Sequence, residues 1–186
     1  MDVKKLTQTA AMAALLCLAG MIMRWASPAL VPFSLLPLFV FLTGLILGPK
    51  YGSLAVIVYV FLGFIGLPVF ASAPFGGIGY LLKPSAGFLF GYIGAAYVAG
   101  RVYNGKNFFT AILGVLGGII VLYLIGLTYF YLILTYVLNQ STNVSTVLSL
   151  GFFPFILGDL LKGGIAAWLG YRIRKRLAET VSFKSV

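Results

Sequence analysis

The chain has 186 residues, 61% of them hydrophobic and 9% charged, with 13 Lys and Arg against three acids, no histidine and a formal charge of +10. Soluble domains run near 45–50% apolar and about 25% charged, so this composition excludes an ordinary soluble fold and marks an integral membrane protein. The only acids are Asp2, Asp159 and Glu179, which excludes paired-carboxylate hydrolysis, a Ser-His-Asp triad, a histidine zinc site and two-metal phosphoryl transfer.

A span across the ~30 Å hydrocarbon core needs about 20 apolar residues. The first is predicted at about 6–26, behind Lys4-Lys5. Its full apolar length, and Leu16 rather than a small residue before Cys17, favour a retained span over a cleaved signal. The lone Cys17 excludes an intrachain disulfide. Ala10 and Ala14 have the small-x-x-x-small spacing that lets another helix come close in lipid, whether inside the bundle or on a partner.

Ser27-Pro28 through Pro32 breaks the chain before a second span at about 33–49, which contains Pro37. Gly48-Pro49-Lys50-Tyr51-Gly52 separates it from a third at 51–70. A loop with Ala73-Pro74-Phe75-Gly76-Gly77 leads to the fourth at 85–103, and Asn104-Gly105-Lys106-Asn107 turns into the fifth at 108–138. The fifth is long enough to tilt, to kink at Gly117-Gly118 or to run past the membrane. After the stretch 139–149 comes the sixth, at 150–172. The expected fold is an all-α integral membrane protein: one transmembrane domain over residues 1–186, a six-helix bundle.

An even number of spans puts both termini on one side, and cationic residues mark the cytoplasmic side. With the termini inside, Lys4, Lys5, Lys50, Arg101, Lys106, Arg172, Arg174, Lys175, Arg176 and Lys184 are cytoplasmic, and only Arg24 and Lys83 lie outside. That bias predicts a multi-pass protein of the cell membrane with cytoplasmic termini. It accounts for the net charge through topology and lipid contact, with no nucleic-acid partner. No Gly-x-x-x-x-Gly-Lys-Ser/Thr string occurs, so ATP-driven work requires another subunit.

The exceptions to charge at segment ends are Asp159 and Lys162, three residues apart in the middle of the sixth span. Each costs roughly 2.5–3.5 kcal/mol at a bilayer centre by insertion scales, so each faces a partner, a cavity or a ligand. Their spacing places them on one helix face. Asp159 lies eight residues after Gly151, about 12 Å below the outer surface, which predicts an outward-facing pocket. An internal ion pair or a proton relay through Asp159 would also fit these residues. No catalytic residue, metal ligand or cofactor is expected.

The run Phe153-Pro154-Phe155-Ile156-Leu157-Gly158-Asp159-Leu160-Leu161-Lys162, the run from Tyr59 to Ala71 (YVFLGFIGLPVFA) and the loop Val31-Pro32-Phe33-Ser34 resemble the BioY family. BioY is the biotin-specific substrate-binding component of energy-coupling-factor transporters. The resemblance spans about residues 27–177. It departs at Ser34-Leu35-Leu36, where the family often has Thr-Leu-Gln, and at Lys83-Pro84-Ser85-Ala86-Gly87-Phe88, where it usually has Gly-Pro-Thr-Gly-Gly-Tyr. It implies a non-enzymatic subunit that captures biotin outside and works with a transmembrane coupling subunit and two ATP-binding-cassette ATPases.

Biotin's ureido ring has two N–H donors and a carbonyl acceptor, matching Asp159 and Lys162. Phe33, Tyr80, Phe88 and Tyr92 are candidates to wall its rings, and Lys83, Ser85 or Ser34 to meet its carboxylate. In such transporters a small-residue patch on the first helix docks the coupling subunit, which would give Ala10 and Ala14 that role. A subunit for another vitamin, a proton-coupled solute carrier and a membrane transferase are the alternatives.

Overall fold

The computed structural model describes residues 3–22 and 34–183, with side chains to residue 177. The end of the first predicted span, the loop 28–33 with Phe33, and the cations Arg24 and Lys184 lie outside the described residues. The described residues form helices α1 (Val3–Ile22), α2 (Leu36–Phe64), α3 (Ala86–Val102), α4 (Phe108–Leu132), α5 (Val144–Gly151) and α6 (Phe153–Phe183), with no strand among them. A 3-10 turn, Ile78–Leu82, precedes α3, and a π-helical turn, Ile133–Val137, follows α4. Helices α1, α2, α4 and α6 are long and apolar enough to cross a membrane, and α3 is a shorter apolar helix.

The spans read at 33–49 and 51–70 are the two arms of α2. Pro37 sits in its first turn, where a missing N–H costs nothing. The helix breaks at Gly48, whose φ of 77° suits glycine, and Pro49 follows. The chain there doubles back: a Cβ on Gly52 would lie 2.8 Å from the Gly44 Cα. In an unbroken helix those residues would be about 12 Å apart. Around this turn the backbones meet without side chains between them, Gly44 against the Ala96 carbonyl and Gly100 against Gly44, Gly48 and Pro49.

Helix α4 runs through Gly117-Gly118 unbroken. Gly118 instead brings α4 up to Phe41 and the Ala95 carbonyl. The predicted sixth span is α6, which starts at Phe153 after the short α5 and continues to Phe183. Phe41, Tyr59 and Phe70 are wholly buried, while Leu124, Leu157 and Leu161 are about two-thirds exposed. That apolar outer surface is what a bundle presents to lipid.

Lys5, Lys50 and Arg174 gather at one end. Lys5 and Lys50 lie 5.4 and 6.0 Å from the centre of the Tyr51 ring. Arg174 stacks 5.4 Å over Tyr103 and donates Nη1 to the Leu45 carbonyl at 2.9 Å. That carbonyl belongs to the last turn before the Gly48 break, where helical partners run out. Arg174 thus ties α6 to α2 and to the end of α3. At the opposite end the segment after α2 is pinned by Phe70, whose ring lies 4.5–5.9 Å from Tyr80, Phe64 and Tyr59.

Candidate functional site

Asp159 and Lys162 lie two and three turns into α6, 6% and 8% exposed. Lys162 Nζ donates to Asp159 Oδ1 at 2.6 Å and to the Ser34 carbonyl at 3.0 Å. The Tyr123 hydroxyl, from α4, donates to Asp159 Oδ2 at 2.7 Å. The pair is therefore an ion pair built into a network that joins α6, α4 and the start of α2. A buried charge needs such partners, and an unpaired one would be costly.

These groups line a cavity of about 210 Å³ at the end opposite the basic cluster. Seven predicted site residues meet there: Asp159, Lys162, Ser34, Tyr80, Ser85, Phe88 and Tyr92. Lys83 is not among the lining residues. Its ammonium donates to the Ala73 carbonyl, approaches Ser72 Oγ at 3.4 Å and lies 5.6 Å from the centre of the Tyr80 ring. Since Ser72 lines the cavity and shares a 3.0 Å hydrogen bond with Tyr80, Lys83 sits one residue behind the wall.

Sequence reasoning missed Tyr59, Ser72, Tyr123 and Phe155 among the lining residues. Phe155 stands four residues before Asp159, so helical spacing could have found it. Tyr59 and Ser72 lie in or beside the stretches singled out above. Tyr123 is 36 residues from Asp159 and only folding reveals it. The Tyr59 hydroxyl is buried without a hydrogen-bond partner among the described residues, an unusual cost for a folded protein.

Chemically the cavity offers one carboxylate, one ammonium and several hydroxyls between aromatic walls. The described residues contain no group of His, Cys, Asp or Glu able to hold a metal ion. Asp159 has about four lone-pair sites and Lys162 three N–H donors. Tyr123 and Lys162 occupy two of the former, Asp159 and Ser34 two of the latter. Among the described residues, about two acceptor sites and one donor are left without a partner.

Ala10 and Ala14 face outward on α1, whereas Thr9, Ala13 and Leu16 face the bundle. The alanine pair therefore packs against nothing within the described chain's core.

A charged pair in an aromatic cavity, enclosed by apolar helices, defines a membrane-embedded solute-binding protein. The BioY family model matches residues 1–179, and the chain belongs to the BioY family. It is 40% identical over 147 residues to the biotin transporter BioY of Thermotoga maritima, covering 78% of this chain and 82% of that protein. To the probable biotin transporter BioY of Pyrococcus horikoshii it is 34% identical over 144 residues, 77% of this chain and 81% of that one. Its fold matches the crystal structure of the S-component for biotin from an ECF-type ABC transporter with a TM-score of 0.74, at 26% identity, over 93% of this chain and 92% of the other. These relatives are transporters and a transporter component, not enzymes.

Proposed function

We propose that the chain is the biotin-capture subunit of an ATP-driven vitamin uptake transporter. One observation carries this reading beyond the family: on the cavity wall, the Asp159, Lys162 and Tyr123 network uses, among the described residues, two of about four carboxylate acceptor sites and two of three ammonium donors. A cyclic urea supplies two N–H donors and one carbonyl, so biotin's ureido ring fills the remainder with charge-assisted hydrogen bonds. Phe88, Tyr80 and Tyr92 wall its rings. Ser34, Ser85 and Ser72 meet the carboxylate, with Lys83 adding charge from behind Ser72 and Tyr80.

Residues 1–186 act as a single transmembrane domain that crosses the membrane six times, the arms of α2 counting separately. The gathering of Lys5, Lys50 and Arg174 at one end supports cytoplasmic termini and a cavity opening outward in the cell membrane. Phe33 follows from the resemblance as a further wall residue. A transmembrane coupling subunit and two ATP-binding-cassette ATPases complete the transporter.

Titrating the ligand-stripped, detergent-purified chain with biotin by calorimetry tests the reading, with thiamine as control. Tight one-to-one biotin binding is expected; a folded chain that ignores biotin would refute it. The outward face of α1 supports Ala10 and Ala14 as the docking patch. Ala10→Trp and Ala14→Trp should abolish co-purification with the coupling subunit and leave biotin affinity within about twofold of wild type, since the added bulk lies outside the core. Loss of biotin binding in the isolated subunit would count against a docking role.

A further inference from the structure

Asp159 is held from two sides by groups of different kind. Oδ1 takes the ammonium of Lys162 on the same helix, and Oδ2 takes the Tyr123 hydroxyl from α4. The Tyr123 ring is clamped edge-on, 6.0 Å from Phe88 and 5.0 Å from Phe152 between centroids. Close approach of α3 and α4 sets the Phe88 side of that clamp: a Cβ on Gly91 would lie 2.8 Å from the Leu122 carbonyl oxygen, and one on Gly126 2.5 Å from the Phe88 ring. Tyr123 is 5% exposed and lines the cavity, so its hydroxyl has one well-defined place beside the carboxylate.

We infer that Tyr123 is a positioning residue that determines ligand specificity, its hydroxyl fixing the plane of the Asp159 carboxylate so that the pair favours neutral N–H donors over a cation. The inference rests on the ureido reading of the site. A hydrogen bond to Oδ2 both orients the carboxylate and disperses its charge. Without it the carboxylate is free to turn and offer both oxygens to Lys162, and it carries more uncompensated charge. Neutral donors then lose their directed acceptors. A cationic ligand loses less, because charge attraction depends less on direction than a hydrogen bond does.

The test compares biotin with 2-iminobiotin, whose protonated guanidinium replaces the cyclic urea and meets the Lys162 ammonium, so that it binds the wild type more weakly and is titrated at correspondingly higher concentration, on the full chain in detergent. Tyr123→Phe keeps the ring and both of its aromatic contacts. It should weaken biotin about 10-fold, the size expected for one hydrogen bond to a charged group. Binding of 2-iminobiotin should fall by less than about threefold, so the preference for biotin shrinks. Phe152→Leu, which keeps the hydroxyl but slackens the clamp, should shift the preference in the same direction as Tyr123→Phe and by less. Unchanged biotin affinity in Tyr123→Phe overturns the inference. So does an equal loss for the two ligands, which would mean packing alone, or a shift of preference in Phe152→Leu as large as in Tyr123→Phe. Wild-type chain that binds neither ligand would instead remove the biotin reading itself.

Discussion

Lys162→Met should abolish measurable biotin binding and lower thermal stability together, and a second substitution should separate the two effects. Methionine replaces an ammonium that holds Asp159 Oδ1 at 2.6 Å and the Ser34 carbonyl at 3.0 Å. Among the described residues, Asp159, 6% exposed, then keeps only the Tyr123 hydroxyl. Removing one partner of a buried pair costs about 3–5 kcal/mol, mostly because a charge is left unmatched. The ligand loses both the Lys162 donor and a well-held Asp159, a loss on the order of 100-fold or more in affinity.

Adding Asp159→Asn removes the unmatched charge at nearly constant volume. Asp159→Asn/Lys162→Met should therefore regain most of the melting temperature while biotin binding stays lost. Melting followed by circular dichroism, beside calorimetric titration of the same samples, reads both effects. Recovery of affinity along with stability would mean that the single variant failed through misfolding, and that the ureido ring binds elsewhere.

Gly100→Ala should destabilise the bundle by on the order of 3 kcal/mol, at the upper end of ordinary overpacking. The added Cβ would stand 2.6 Å from the Gly44 oxygen, 2.6 Å from the Gly48 carbonyl carbon and 2.7 Å from the Pro49 nitrogen. All three are backbone atoms, so no side chain can rotate aside and α3 must move away from the turn of α2. Gly164→Ala is the matched control, because a Cβ there meets nothing within 4 Å. Alanine is the better helix former by about 1 kcal/mol, so that variant should melt no lower than wild type. Equal melting temperatures for the two variants would refute the tight junction.

The site was half legible before folding. Asp159 and Lys162 stood out because charge is expensive in an apolar segment, and both line the cavity beside Ser34, Tyr80, Ser85, Phe88 and Tyr92. Lys83 shows the limit of this kind of reading. Its position near the predicted mouth was visible, but its local bonds to Ala73 and Ser72 were not. A lysine reaches whatever acceptor the loop's path brings near, and that path depends on Phe70 being anchored among Tyr59, Phe64 and Tyr80.

By itself the amino-acid sequence determined the class of molecule, the turn at Gly48-Pro49, the bias of cations and the charged pair in the last span. Each rests on a local or additive cost: desolvating charge, forcing a prolyl ring into a helix, counting cations at segment ends. Tertiary structure alone decided that Tyr123 holds Asp159, that Arg174 caps the Leu45 carbonyl, and that Gly44 and Gly100 bring α3 against the α2 turn. Those contacts join residues 36 to 129 positions apart. Which distant groups meet is set by how whole helix faces pack, and no local spacing records it.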